Sequence, residues 1–140
     1  MAGKSTTPDL ETKTRQLAEA GNRRDVEGGL ALYSPNAVWD MSALGLGIYQ
    51  GHEAIRGFFE DWSRAYGDFE QVLGEYRDLG NGVTLTVLLQ RARPTGSIGL
   101  VEVRYSNVRI WVDGLIEWNA TYTDIDEARA AAERLAQERG

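Results

Sequence analysis

Few side chains in this sequence are of a type and in a setting that could do chemistry. It contains no cysteine, which excludes a thiolate nucleophile, thiolate metal ligands and disulfides, and one histidine, which excludes a multi-histidine metal site. What remains are acids and amides on apolar strands. In the stretch NAVWDMSALGLGIYQG, residues 36–51, Asp40 stands between Trp39 and Met41. If the strand is bulged so that Asp40 turns inward, desolvation beside indole and thioether raises its pKa towards that of a general base. If Trp39 and Met41 point inward, alternation sends Asp40 out with Val38. The two cases differ by one residue of register.

Further candidates lie on the later strands. Over 83–93, Val83, Leu85, Val87 and Leu89 alternate with Thr84, Thr86, Leu88 and Gln90. The first set is expected to face inward, and Arg91 continues it. There its guanidinium either reaches a ligand carboxylate or carbonyl, or lies beyond the cavity mouth in water. Over 99–112 the expected inner row is Val101, Val103, Tyr105, Asn107 and Trp111, a row that Arg109 fits badly, and over 115–122 it is Ile116, Trp118, Ala120 and Tyr122. With Trp39, Met41, Trp62 and Tyr66 these rows make an aromatic-rich lining, which either walls a pocket or fills a core completely. His52 opens a helix, where a neutral proton acceptor is conceivable, but no orienting partner is in view and a solvated first-turn residue is the simpler expectation.

These residues must be positioned by ordinary elements. Residues 1–8 are expected to be a loose, polar N-terminus and residues 9–140 one domain, a length sufficient to bury a core. Pro8 and Asp9 suit the start of a helix running to about Gly21, and Asp25 is a plausible cap for a short helix through Tyr33. Short strands follow at 37–41 and 47–50. Ile55, Phe58, Phe59, Trp62 and Tyr66 then recur at helical spacing from Glu53 to Tyr66. Four strands come next, at 68–79, 83–93, 99–112 and 115–122, with Asn81-Gly82 and Asp113-Gly114 as hairpin turns. Asp124 and Glu127 open a C-terminal helix in capping-box spacing. This order predicts an α+β fold, a cone-shaped, strongly curved antiparallel sheet wrapped around the N-terminal helices, with the C-terminal helix added. Such a cone tends to leave a cavity.

The formal charge of −6 and the lack of any basic cluster beyond Arg23-Arg24 argue against nucleic acid as a partner. No apolar run of about 18 residues would span a bilayer, and the N-terminus lacks the hydrophobic segment of a secretory signal, so no membrane partner and a cytoplasmic location are expected.

Three stretches, GGLALYSPNAVWDM, YQGHEAIRGFFEDW and IWVDGLIEWNATYTDIDEARAAAERLA, resemble the nuclear transport factor 2-like superfamily, in its SnoaL-like branch of polyketide cyclase and ketosteroid isomerase relatives. The likeness covers about residues 10–139. It implies the cystatin-like α+β barrel, a small hydrophobic ligand or substrate in its cavity, a homodimer formed through the outer face of the sheet, and no cofactor or metal. The chemistry it implies is isomerase-, cyclase-, dehydratase- or epoxide-hydrolase-like proton transfer, and non-catalytic binding or dimerisation modules share the fold. Ketosteroid isomerases use an aspartate base with a tyrosine and a neutral aspartic acid donating to the oxyanion. Ungapped comparison puts Met41 at the base position and Leu17 at the tyrosine position. The second acid falls on Asn107, or on Val108 with a different gap. Asn107 could still donate to an oxyanion, and a one-residue slip would return Asp40 to the base position. The catalytic Arg and two Asp of limonene-epoxide-hydrolase relatives fall on Thr86, Leu88 and Thr121. The resemblance thus leaves two accounts open: Asp40 as base with Asn107 as oxyanion donor and Trp39, Met41, Trp62, Tyr66, Tyr105 and Trp118 as walls, or binding without catalysis.

Overall fold

The computed structural model describes residues 9–140, and the expected loose N-terminus lies outside them. Helix α1 spans Leu10–Asn22, capped by Asp9, whose carboxylate accepts from the Thr12 amide; α2 is Val26–Leu30, capped by Asp25. Between the helices Arg24 takes a positive φ of 58°. Its guanidinium donates to the carbonyls of Ser63 (2.6 Å), Tyr66 (3.0 Å) and Gly67 (2.7 Å), tying the helical pair to the far end of α3.

Strand β1 runs Tyr33–Asp40, followed by a 3-10 turn at Ser42–Leu44, β2 at Ile48–Gln50 and α3 at Gly51–Ala65. The short helix expected through Tyr33 ends at Leu30, and Tyr33 together with the following Ser34, Pro35 and Asn36 lies within β1. Pro35 has no amide to give to a ladder, and it falls at a register shift in the pairing with the last strand. The long meander is β3 (Tyr66–Gly80), β4 (Val83–Pro94), β5 (Val101–Val112) and β6 (Leu115–Tyr122), and α4 (Ile125–Arg139) closes the described chain. Asn81, Gly82, Asp113 and Gly114 all have positive φ, as the two tight hairpins require. Asp124 accepts from the Glu127 amide at 3.0 Å.

The six strands form one sheet in the order β2-β1-β6-β5-β4-β3. All neighbours are antiparallel except β1 and β6, so the sheet is mixed rather than wholly antiparallel. Register shifts recur along β3, at Tyr66/Asp68, Leu73/Glu75 and Asp78/Gly80. Extra residues on one strand bend it and increase its twist, which curls this edge of the sheet around α1.

Two cores lie on opposite faces of the sheet. Leu30, Tyr33, Ala37, Ile55, Trp111 and Ile116 are buried between the sheet and the N-terminal helices. Val83, Leu85 and Val108 are buried beneath Ala128, Ala132 and Ala136 of α4, whose small side chains let helix and strands approach closely. Every residue from Val83 to Leu88 is buried, because this part of β4 is covered on both faces.

Candidate functional site: an internal cavity

The concave face of the sheet does not fill completely. A cavity of about 140 Å³ remains between it and α1, α2 and α3. That is comparable with an engineered core cavity of about 150 Å³ that accepts benzene. One wall is a chain of rings: Trp39 to Phe58 at 4.8 Å between centroids, Phe58 to Trp62 at 5.4 Å, and Trp62 to Tyr66 at 5.3 Å. The helical spacing of Phe58 and Trp62 aligns them on one face of α3, and Tyr66 follows where the helix gives way to β3.

The opposite wall is polar. Thr86, Asn107 and Thr121 are cross-strand neighbours on β4, β5 and β6, and all three border the cavity. One hydrogen bond links this row to the aromatic wall, and a second runs within the row. The Trp39 indole Nε1–H donates to Thr121 Oγ1 at 2.8 Å, and that hydroxyl donates to Asn107 Oδ1 at 2.6 Å. An indole can only donate, so the hydroxyl hydrogen is available to the amide oxygen, which leaves the two Asn107 Nδ2 hydrogens for the cavity.

Arg109 follows Asn107 by two residues and also lines the cavity, with only 5% of its surface exposed. No carboxylate among the described residues pairs with it, and its Nε meets no acceptor. Burial lowers its pKa, an effect opposed by the adjacent Tyr33, and burial in turn raises the pKa of the Tyr33 phenol. A guanidinium nevertheless stays charged in a protein. Behind it, Asn119 donates to the Tyr33 hydroxyl at 3.1 Å and leaves its own Oδ1 unpaired.

Of the residues singled out from the sequence, Trp39, Met41, Trp62, Tyr66, Tyr105 and Asn107 border the cavity. Three do not. Asp40 is outside it, on the opposite side of β1 from Trp39, where its Oδ1 accepts from the Ser42 amide (2.9 Å) and hydroxyl (2.5 Å). The strand is not bulged at this point: Trp39, Asp40 and their β6 partners stay in step, so alternation holds. Arg91 is exposed on the convex face, where it pairs with Glu102 at 2.8 Å. Trp118 is also on that face, packed with the α4 core. His52 is half-buried rather than solvated, and its Nε2 donates to the Tyr33 carbonyl at 2.8 Å, away from the cavity.

Two features of the sheet keep Arg91 and Trp118 off the cavity. The expected inner row of β4 lies on the convex face, where Val83 and Leu85 join the α4 core, and the mixed polar row Thr86, Leu88 and Gln90 faces the cavity. On β6 a register shift opposite Ile110/Trp111 sends Ile116 to the concave core, whereas Trp118 goes to the convex one. Arg109 was set aside for its charge, although strict alternation through Tyr105 and Asn107 includes it. Leu17, Met41 and Asn107, the positions reached by ungapped comparison with isomerases, all line the cavity, as do Thr86, Leu88 and Thr121. None of these six is ionisable. Among the described residues no group of three or more His, Asp or Glu side chains is arranged to hold a metal ion. No described helix is long and apolar enough to cross a membrane.

A Burkholderia pseudomallei NTF2-like protein of unknown function superposes with a TM-score of 0.73 at 20% identity, covering 90% of this chain and 98% of its own. A Catenulispora acidiphila protein with a ketosteroid isomerase-like fold, in complex with trimethylamine, gives 0.72 at 14% identity over 91% and 94%. A Mycobacterium tuberculosis protein in complex with estradiol-17beta-hemisuccinate gives 0.70 at 20% identity over 83% and 94%. At these identities the likeness establishes the fold alone. No curated protein matches the chain. The sequence model of the SnoaL-like domain matches residues 14–118, three quarters of the chain. The chain therefore belongs to the SnoaL-like family of the nuclear transport factor 2-like superfamily.

Proposed function

We propose that the protein binds a compact, largely hydrophobic molecule, about the size of one substituted ring, in its internal cavity. The observation that carries this reading is the cavity itself: an aromatic wall facing a buried polar row whose Thr86 hydroxyl lacks a partner. Apolar lining with a few convergent polar groups is the usual composition of a small-molecule site. Two structures of the same fold hold small molecules, which supports the reading by analogy.

Binding is better supported than proton transfer. A general base must reach its proton directly or through one water, and the Asp40 carboxylate is engaged with Ser42 outside the lining. Asn107 retains the geometry of an oxyanion donor, which serves a bound carbonyl with or without turnover. The experiment is a titration of the protein with single-ring compounds, benzamide, cyclohexanone and benzoate among them, followed by tryptophan fluorescence. Saturable quenching that disappears when the cavity is filled by Leu88→Trp supports the reading. Quenching that survives the filling, or none up to the solubility limit, refutes it.

The same reading assigns the convex face beyond α4 to a second copy of the chain. Val72, exposed, and its half-buried partner Leu89 form an apolar strip there beside the Arg91–Glu102 pair. Sedimentation should show a dimer that Val72→Glu dissociates, and a monomer at every concentration would refute the assignment.

A further inference from the structure

We infer that the ligand is a monoanion, a single-ring carboxylate whose charged group sits against Arg109. This inference rests on the cavity-binding reading and names the chemistry of what binds.

The argument is one of uncompensated charge. A guanidinium 95% removed from solvent bears a desolvation cost of several kcal/mol unless a counter-ion repays it. The described residues supply none. Two acids near the site are committed elsewhere: Asp25, at the rim, caps α2 by accepting from the Gly28 amide, and Asp40 accepts from the Ser42 amide and hydroxyl. Tyr33 is neutral, since burial raises its pKa. A hydrogen bond between Arg109 Nε–H and its cross-strand neighbour Asn119 Oδ1 would satisfy both orphan atoms. An amide oxygen is neutral, however, and would leave the charge unbalanced.

The surrounding groups point the same way. Unused donors lie on this side of the cavity beside the Arg109 guanidinium: the Thr86 hydroxyl and the Asn107 Nδ2 hydrogens. Thr86 and Asn107 are register partners, and Arg109 is the next residue on the same face of β5. A planar, bidentate acceptor with a negative charge is the complement of such a set, and a carboxylate is the common group of that description. The aromatic wall from Trp39 to Tyr66 then takes the ring.

Matched pairs of nearly identical shape test this: benzoate against benzamide, and cyclohexanecarboxylate against its amide, by calorimetry at pH 7. The wild-type protein should prefer each carboxylate by about tenfold to hundredfold, the range for a hydrogen bond to a charged group. Arg109→Met should bring that ratio to about one. If this variant fails to fold, the Arg109 Nε–H resonance of the wild-type protein replaces it, shifting with benzoate and much less with benzamide. Equal affinity within a pair overturns the carboxylate assignment and leaves the cavity-binding reading standing. Absence of binding by all four compounds overturns both.

Discussion

The two faces of the sheet are built from alternate residues of the same strands, yet they are different materials. Under α4, Val83, Leu85 and Val108 meet a row of alanines in a close-packed apolar layer. On the concave side, Thr86, Asn107, Arg109 and Thr121 are just as buried, but they surround space. The convex layer supplies stability, and the concave one holds polar groups at a cost that the convex layer must cover. Polarity inside a small domain is therefore more informative about function here than the aromatic content, which both faces share.

Substitutions on the two faces separate these roles. The largest effect is expected from Leu85→Ala, which opens a void in the close-packed layer and should lose about 2–5 kcal/mol in urea unfolding. Leu88→Ala, three residues further along β4 and beside existing space, should lose clearly less. Equal losses would break the distinction between the faces. Next, Thr121→Val removes the hydroxyl that joins Trp39 to Asn107, leaving the indole N–H unpaired at a cost of about 1–3 kcal/mol, and it should weaken ligand binding as well.

A smaller effect is expected where α4 is pinned to β3. Arg129 makes two hydrogen bonds to Glu75, at 2.7 and 2.8 Å, at the β3 register shift, and this partner lowers the Glu75 pKa below 4.5. A depressed carboxylate pKa adds stability above the unfolded-state value and loses it as pH falls through the folded-state value. Wild type should therefore exceed Glu75→Gln by up to about 1 kcal/mol at pH 7, with the gap closing below pH 4.5. A gap that persists in acid would contradict the ion-pair account. The smallest effect belongs to Asp40→Ala, which should cost about 0.5–1 kcal/mol for its lost hydrogen bonds with Ser42 and leave ligand affinity unchanged. A large drop in affinity would return Asp40 to the site.

Much of the fold was legible in the sequence because its signals are local. Asn81-Gly82 and Asp113-Gly114 announce hairpins through their positive φ, Asp9, Asp25 and Asp124 announce helix starts, and Phe58, Phe59 and Trp62 announce the inner side of α3. What the sequence did not specify was which face of β4 and β6 encloses the cavity. Alternation sorts residues into two rows, but it cannot choose between them when both are buried, and α4 provides a second apolar partner that attracts Val83, Leu85 and Trp118. The parallel contact of β1 with β6 and the shifts along β3 depend on the assembled, curved sheet and leave little local trace. For β1 the alternation rule was sufficient: with Trp39 and Met41 at the cavity, Asp40 lies outside.

The tryptophans report on both faces at once. Trp39 and Trp62 border the cavity, whereas Trp118 packs against α4 on the other side of the sheet. Titrating the 15N-labelled protein with benzoate and benzamide, and following the indole N–H resonances, tests the central claim directly. The account predicts saturable shifts at Trp39 and Trp62 with Trp118 unmoved. Shifts at Trp118 alone, or at none of the three, would contradict it.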